Sequence, residues 1–367
     1  MLFVKTKDLK YGMRLAKPIY NKSGVLLYER NTRLTLQGIE SVKNFGLIGL
    51  YILEPAEPVP PMSEEDLDFE RFQTMAVFSV REELDNIIAG REPRNLNRLV
   101  NAIYVNYGRL DHKISFTQNI RSTEDYIYKH VINTAILSAL ISTQMHCTQS
   151  EQEEVIAAAL LHDIGKLLLP NKVRDKCDDY DTNDLIIVKK FQNDGLALLR
   201  PESGIDSGVK RIISQVHRIE YGDGKLDDGK ALKSTKIIKV ANLFDTMTCM
   251  KLQGDTISEI AAIKYLLLNK DEFDEAVVGA LIKSINILTP GVCIELTNKE
   301  KGLVIAENTQ NILRPIVLGF TTNNIYDLSN NGVYRRYQIV DIMKTMDNRI
   351  KVDKDTLNEY LNMKSQK

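Results

Sequence analysis

The sequence has no tryptophan and only four cysteines in 367 residues. Cys147, Cys177, Cys249 and Cys293 stand far apart, with no Cys-x-x-Cys pair. That argues against a disulfide-stapled scaffold or a zinc finger and points to a cytoplasmic protein with reduced thiols. Charge of neither sign prevails: 48 Lys and Arg stand against 49 Asp and Glu, a formal net charge of −1. No basic field marks a DNA-binding protein. Apolar runs fall short of the ~20 residues that span a bilayer. The opening Met1-Leu2-Phe3-Val4-Lys5-Thr6-Lys7 meets charge too soon for a signal peptide. No membrane insertion is expected.

What the chain does have is clear punctuation. Residues 1–53 read as a small β-rich unit, with turns at Tyr11-Gly12-Met13 and Ser23-Gly24, a helix near 35–42 and a closing strand at 49–53. No chemical cluster appears there, so packing or protein contact is its expected role. Prolines crowd residues 54–62, which favours an extended linker. Residues 63–121 read as a helical connector, opened by Ser63 with Glu64, Glu65 and Asp66 in its first turn. A further helix opens at 122–125 and carries His130 beside a stripe of Ile127, Val131 and Ala135. The next begins at Thr148 or Ser150, each followed three residues later by a Glu at capping-box spacing. It runs to Pro170, which ends or kinks it. Residues 174–184 are polar and acidic and read as a surface loop. Short β runs appear from about 288 to 330, with a hairpin turn at Asn298-Lys299-Glu300-Lys301, and residues 351–367 form a tail. The fold class is therefore mainly α, with a small β-rich unit before the helices and an antiparallel β appendage after most of them.

Chemistry concentrates in Leu160-Leu161-His162-Asp163-Ile164-Gly165-Lys166. Imidazole nitrogen suits a transition metal, and a carboxylate can bridge two ions. On a helix, Lys166 would share a face with His162, four residues earlier. A cation beside a metal is what a phosphate ester needs as charge builds on its oxygens. A His-Asp pair in isolation reads more readily as a buried His with a solvent-facing Asp at a helix end. A role for His130 requires that it meet His162. His112 and His146 have no partners of this kind and read as surface or structural residues.

The wider pattern decides between these readings. From about Thr123 to Phe320 the chain resembles the HD-GYP domains, metal-dependent phosphohydrolases that open cyclic di-GMP. The resemblance rests on His130, on His162-Asp163-Ile164-Gly165-Lys166 followed by Pro170, and on Gly195 and His217. It continues through the Gly222 and Gly224 loop, Asn242-Leu243-Phe244-Asp245 and Phe273-Asp274, to Asn308 and Arg314-Pro315. It implies an HD-type helical bundle over 122–350. It implies metal ligands at His130, His162, Asp163, His217 and Asn242, with Asp163 and Lys166 as catalytic groups. Lys166, Arg218 and Lys225 become the phosphate contacts. Other positions depart from the family: an expected His falls on Phe191, one of a His pair on Val216, the late Asp on Asn242, and Gly-Tyr-Pro on Gly224-Lys225-Leu226. Phe191 and Val216 offer no lone pair, and Asn242 offers no charge. At most one divalent ion, iron or manganese in type, is then expected. Asp245, three residues after Asn242, could replace it only with a shifted ion.

Three functions follow from this pattern. The first is a degenerate HD-GYP-type signalling protein that binds a cyclic dinucleotide such as cyclic di-GMP, or a protein partner, with weak or no hydrolysis. The second is a single-metal phosphodiesterase. The third is a non-enzymatic scaffold. A protein signalling partner and a homodimer are compatible with the first.

Overall fold

The computed structural model describes residues 2–21, 25–53, 63–200, 204–222, 231–252 and 256–343. The proline-rich linker at 54–62, the tail at 351–367 and Lys225 lie outside them.

The N-terminal unit contains β1 (Leu2–Lys5), β2 (Arg14–Leu15), β3 (Ile19–Tyr20), β4 (Leu26–Tyr28), α1 (Leu36–Asn44) and β5 (Gly49–Leu53). β5 lies between β1 and β2 in one antiparallel sheet, and β3 pairs with β4. Leu15, Ile19, Leu34, Val42 and Leu50 fill a core of their own.

The helices follow: α2 (Glu64–Ile88), α3 (Leu96–Tyr107), α4 (Tyr126–Gln144), α5 (Gln149–Leu161), α6 (Asn171–Arg174), α7 (Thr182–Leu198), α8 (Ser207–Tyr221), α9 (Lys233–Thr248), α10 (Glu259–Leu268) and α11 (Glu275–Ser284). Ser63 caps α2 and Thr148 caps α5, each through a reciprocal capping box. Thr148 is thus chosen over Ser150. α4 begins at Tyr126, after a Ser122–Asp125 exchange of hydrogen bonds at 2.7 and 3.3 Å.

α4 is the central element. Ile132, Ala135, Ile136, Leu137 and Ile141 are inaccessible to solvent, and its polar Asn133, Thr134 and Ser138 are buried too. A helix buried on all sides shows no single apolar stripe. The stripe read from the sequence is one part of a contact surface that surrounds the helix.

β6 (Cys293–Leu296), β7 (Lys301–Ala306), β8 (Ile316–Gly319) and β9 (Ile325–Asp327) are followed by α12 (Asn331–Tyr334) and β10 (Ile339–Ile342). They form one antiparallel sheet in the order β10-β6-β7-β8-β9. The β6–β7 hairpin turns through Lys299 at φ 65°. Ile294, Leu296, Val304 and Val317 belong to the same core as the helices. The appendage is therefore packed on the bundle, and its sheet extends beyond residue 330 through β10. Among the described residues no helix is long and apolar enough to cross a membrane.

Candidate metal centre

α5 ends at Leu161 and does not run on to Pro170. His162 caps it, Asp163 leaves helical geometry, and a 3-10 turn spans Ile164–Leu168. This corrects the expected single helix and the shared face of His162 and Lys166. In a 3-10 turn, residues three apart eclipse. Lys166 therefore comes over Asp163, with Nζ 2.8 Å from Oδ2.

Two glycines make this arrangement possible. A Cβ on Gly165 would stand 2.3 Å from the Phe191 carbonyl oxygen, and one on Gly195 would stand 2.5 Å from the Gly165 backbone. The 3-10 turn and α7 thus touch backbone to backbone. That contact brings Gln192 onto Asp163, where its Nε2 donates to Oδ1 at 2.6 Å.

His130 on α4 meets this group as required, with ring centroids of His130 and His162 5.4 Å apart. His130 Nδ1 is 2.7 Å from Asp245 Oδ2, and His162 Nδ1 is 2.8 Å from the Ala159 carbonyl oxygen. Each acceptor holds the proton on Nδ1 and leaves Nε2 as a lone pair. His130 Nε2 and His162 Nε2 are buried without hydrogen-bond partners. Lys166 Nζ pairs with Asp163 Oδ2 at 2.8 Å. His130, His162 and Asp163 each offer a ligand atom, and these atoms lie within 4.8 Å of one another. Two buried imidazole nitrogens without partners, facing a carboxylate oxygen, are costly in a dry interior unless a further cation joins them. Two imidazoles and a carboxylate suit a divalent transition metal.

Electrostatics favour the same state. Burial lowers His162 to about 4, outweighing the Asp163 charge, so its imidazole is neutral near pH 7. Burial alone would raise Asp163, but Lys166, His162 and His130 hold it well below the usual carboxylate range. Burial would lower Lys166, and Asp163 with Asp178 reverses this and holds it well above its ordinary value.

Asp245 is not a substitute ligand for Asn242, which corrects that alternative. It accepts from His130, Asn133 at 2.8 Å, Gln118 at 3.0 Å and Arg121 at 2.6 and 2.8 Å. Its role is to orient His130. Arg121, inaccessible to solvent, balances its charge.

Other expected site residues have partners or surroundings of their own. His217 Nε2 is 2.6 Å from the His162 carbonyl oxygen, so it braces the backbone at the motif; its Nδ1 is buried and unpartnered. Asn242 donates to Glu220 and accepts from Thr246 at 3.4 Å. Burial and the Asp163 charge push Glu220 up to about 7. Arg218 is exposed on α8. Phe191 packs with Val188, Leu169 and Tyr221 in a small apolar cluster.

Gln192, Asp178 and Arg121 were not anticipated. Asp178 lies in the segment read as a surface loop, yet it is 2.7 Å from Lys166 Nζ, and its neighbour Cys177 is buried. The 174–184 reading therefore needs correction. Its polarity was visible in the sequence, but its inward carboxylate was not. Asp178 and Cys177 take φ of 66° and 49°, which turns the chain back toward the site.

The HD-domain family profile matches residues 113–277. That stretch of the chain is similar to HD domains. It is 22% identical over 205 residues to the cyclic di-GMP phosphodiesterase PA4108 of Pseudomonas aeruginosa, covering 55% of this chain and 49% of that protein. It is 22% identical over 197 residues to the cyclic di-GMP phosphodiesterase PdeB of Borreliella burgdorferi, covering 53% and 52%. The cyclic di-GMP phosphodiesterase response regulator RpfG of Xanthomonas campestris is 24% identical over 152 residues, 40% of each chain. The chain spans about half the length of the first two relatives, and less of the third. The HD-GYP-type protein Bd1817 of Bdellovibrio bacteriovorus overlays 76% of this chain and 97% of its own at 16% identity, with a TM-score of 0.47. The similarity to HD domains and to cyclic di-GMP phosphodiesterases is thus found by sequence, independently of that loose overlay. All four thiols are free.

Proposed function

We propose that this protein is a degenerate HD-GYP-type receptor or regulator. It holds one divalent ion and binds a cyclic dinucleotide, with weak or no hydrolysis. The observation that carries the reading is the convergence of His130 Nε2 and His162 Nε2, both without partners, with Asp163 Oδ2. Phe191 and Val216 stand where the family resemblance calls for further ligands, and Asn242 is engaged by Glu220. Three ligands fit one iron- or manganese-type ion. A bound ion of this kind supplies Lewis acidity to a phosphoryl oxygen. Asp245 and the Ala159 carbonyl hold the two imidazoles, and Lys166 supplies the positive charge for phosphate. Arg218 and Lys225 are secondary phosphate contacts in this reading. The cyclic dinucleotide is inferred from the relatives' named substrate, joined to a metal and lysine pair suited to phosphate.

We keep the division proposed from the sequence: a β-rich unit at 1–53, a linker at 54–62, a helical connector at 63–121 and the HD-type unit at 122–350. The N-terminal unit is read as a protein-contact module.

Titration calorimetry with cyclic di-GMP and added manganese tests the receptor. Binding in the micromolar range is expected for the wild type, with about tenfold loss in Lys166→Ala. No binding with or without metal would favour a scaffold. Rapid turnover would favour the single-metal enzyme.

A further inference from the structure

We infer that Asp178 is a positioning residue that latches Lys166 and sets the affinity of the site for phosphate; this rests on the reading of Lys166 as the phosphate-binding cation. The lysine side chain is 7% exposed and lies between two carboxylates, Asp163 Oδ2 at 2.8 Å and Asp178 Oδ1 at 2.7 Å. One ammonium is thus shared by two negative charges. Asp163 belongs to the converging set and has its other oxygen taken by Gln192. Asp178 contributes no ligand atom to that set. Its described polar contact is Lys166, and it is the more exposed partner, with 13% of its side chain accessible.

The backbone builds this contact on purpose-shaped geometry. After α6, two successive residues, Cys177 and Asp178, take left-handed φ values. Cys177 is buried and fixes the turn from the inside. The neighbouring carboxylate is thereby presented to Lys166, twelve residues earlier in the chain. A phosphodiester approaching Lys166 meets an ammonium already neutralised, with an excess carboxylate beside it. Like-charge repulsion and the cost of breaking a largely buried pair both weaken phosphate binding. The latch lowers the affinity of the site for a phosphodiester without removing the lysine.

The test uses the full chain and cyclic di-GMP as probe, with manganese present, by titration calorimetry. Asp178→Asn keeps the shape and tolerates the left-handed turn. Asp178→Gly tolerates it without a Cβ and serves if the first variant folds poorly. Either is expected to bind about tenfold more tightly than the wild type. The gain should disappear in the double variant with Lys166→Ala, which a merely structural role for Asp178 would not produce. Unchanged or weaker binding in both folded single variants, with Lys166→Ala still weakening the wild type, would overturn the latch and leave the receptor reading standing. A gain that survives Lys166→Ala would also overturn it. No binding by any variant would overturn both.

Discussion

At the residue scale, the carboxylate of Asp245 should matter as much as the ligands it never joins. It neutralises Arg121 in a solvent-free interior and fixes the His130 ring through Nδ1. Asp245→Ala leaves the guanidinium buried and uncompensated, which costs about 3–5 kcal/mol. Asp245→Asn retains much of the packing but replaces the carboxylate that holds the imidazole with a neutral amide, and metal affinity should fall about 10–100-fold. Calorimetry of manganese binding to that variant checks the second outcome, and equilibrium denaturation of the Ala variant checks the first. His162 gives a pH signature in metal-free protein. Unfolded, its imidazole titrates near the ordinary 6.5; folded, burial lowers it to about 4. Between those values the unfolded chain takes up a proton that the folded chain refuses. Its contribution is therefore level above about pH 6.5, falls as the pH drops toward 4, and amounts to on the order of 3 kcal/mol. Urea midpoints of chelated wild type and His162→Asn should converge over that window. Profiles that stay parallel would refute it.

At the element scale, the decisive contact is between the 3-10 turn and α7. Gly165→Ala places a methyl group on the Phe191 carbonyl, and Gly195→Ala places one on Gly165. Backbone cannot swing aside as a long side chain can. Each change should destabilise by the upper end of roughly 1–3 kcal/mol and loosen Gln192 from Asp163. Thermal melts and metal titration of both variants read the two effects together. Much of this level was legible in the sequence. The capping box at Thr148, the hairpin at Lys299 and the His-Asp pair each carry a local signature, because the deciding residues are neighbours in the chain. The 3-10 turn carried none. Ile164-Gly165-Lys166-Leu167-Leu168 has helical spacing, and only the approach of α7 requires a different winding. Gln192 and Asp178 were hidden for a related reason: each contacts its partner across a loop. Arg121 was hidden because nothing in its flanking residues foretells complete burial.

At the scale of the whole molecule, the N-terminal unit rests on the stretch that supports the site. Ile48 N–H donates to the Arg121 carbonyl at 3.0 Å, and Lys17 Nζ donates to the Gln118 carbonyl at 2.8 Å. Gln118 and Arg121 both hold Asp245, and Asp245 holds His130. The fold class was readable from composition: a β-rich start, long helical spacing, then β runs. The joint between the first unit and the helices was not, since it is made largely by backbone groups that every residue possesses. An ion that binds only the folded chain also stabilises the whole of it. Manganese at about a hundred times its dissociation constant should add about 2.7 kcal/mol to folding stability, and a chelator should remove that gain in a melt.

The most direct measurement is elemental analysis of the purified chain after equilibration with manganese or iron, paired with a cyclic di-GMP hydrolysis assay. The account predicts about one divalent ion per chain, lost in His162→Ala, and little or no turnover. Two or more tightly held ions per chain with rapid turnover would contradict it.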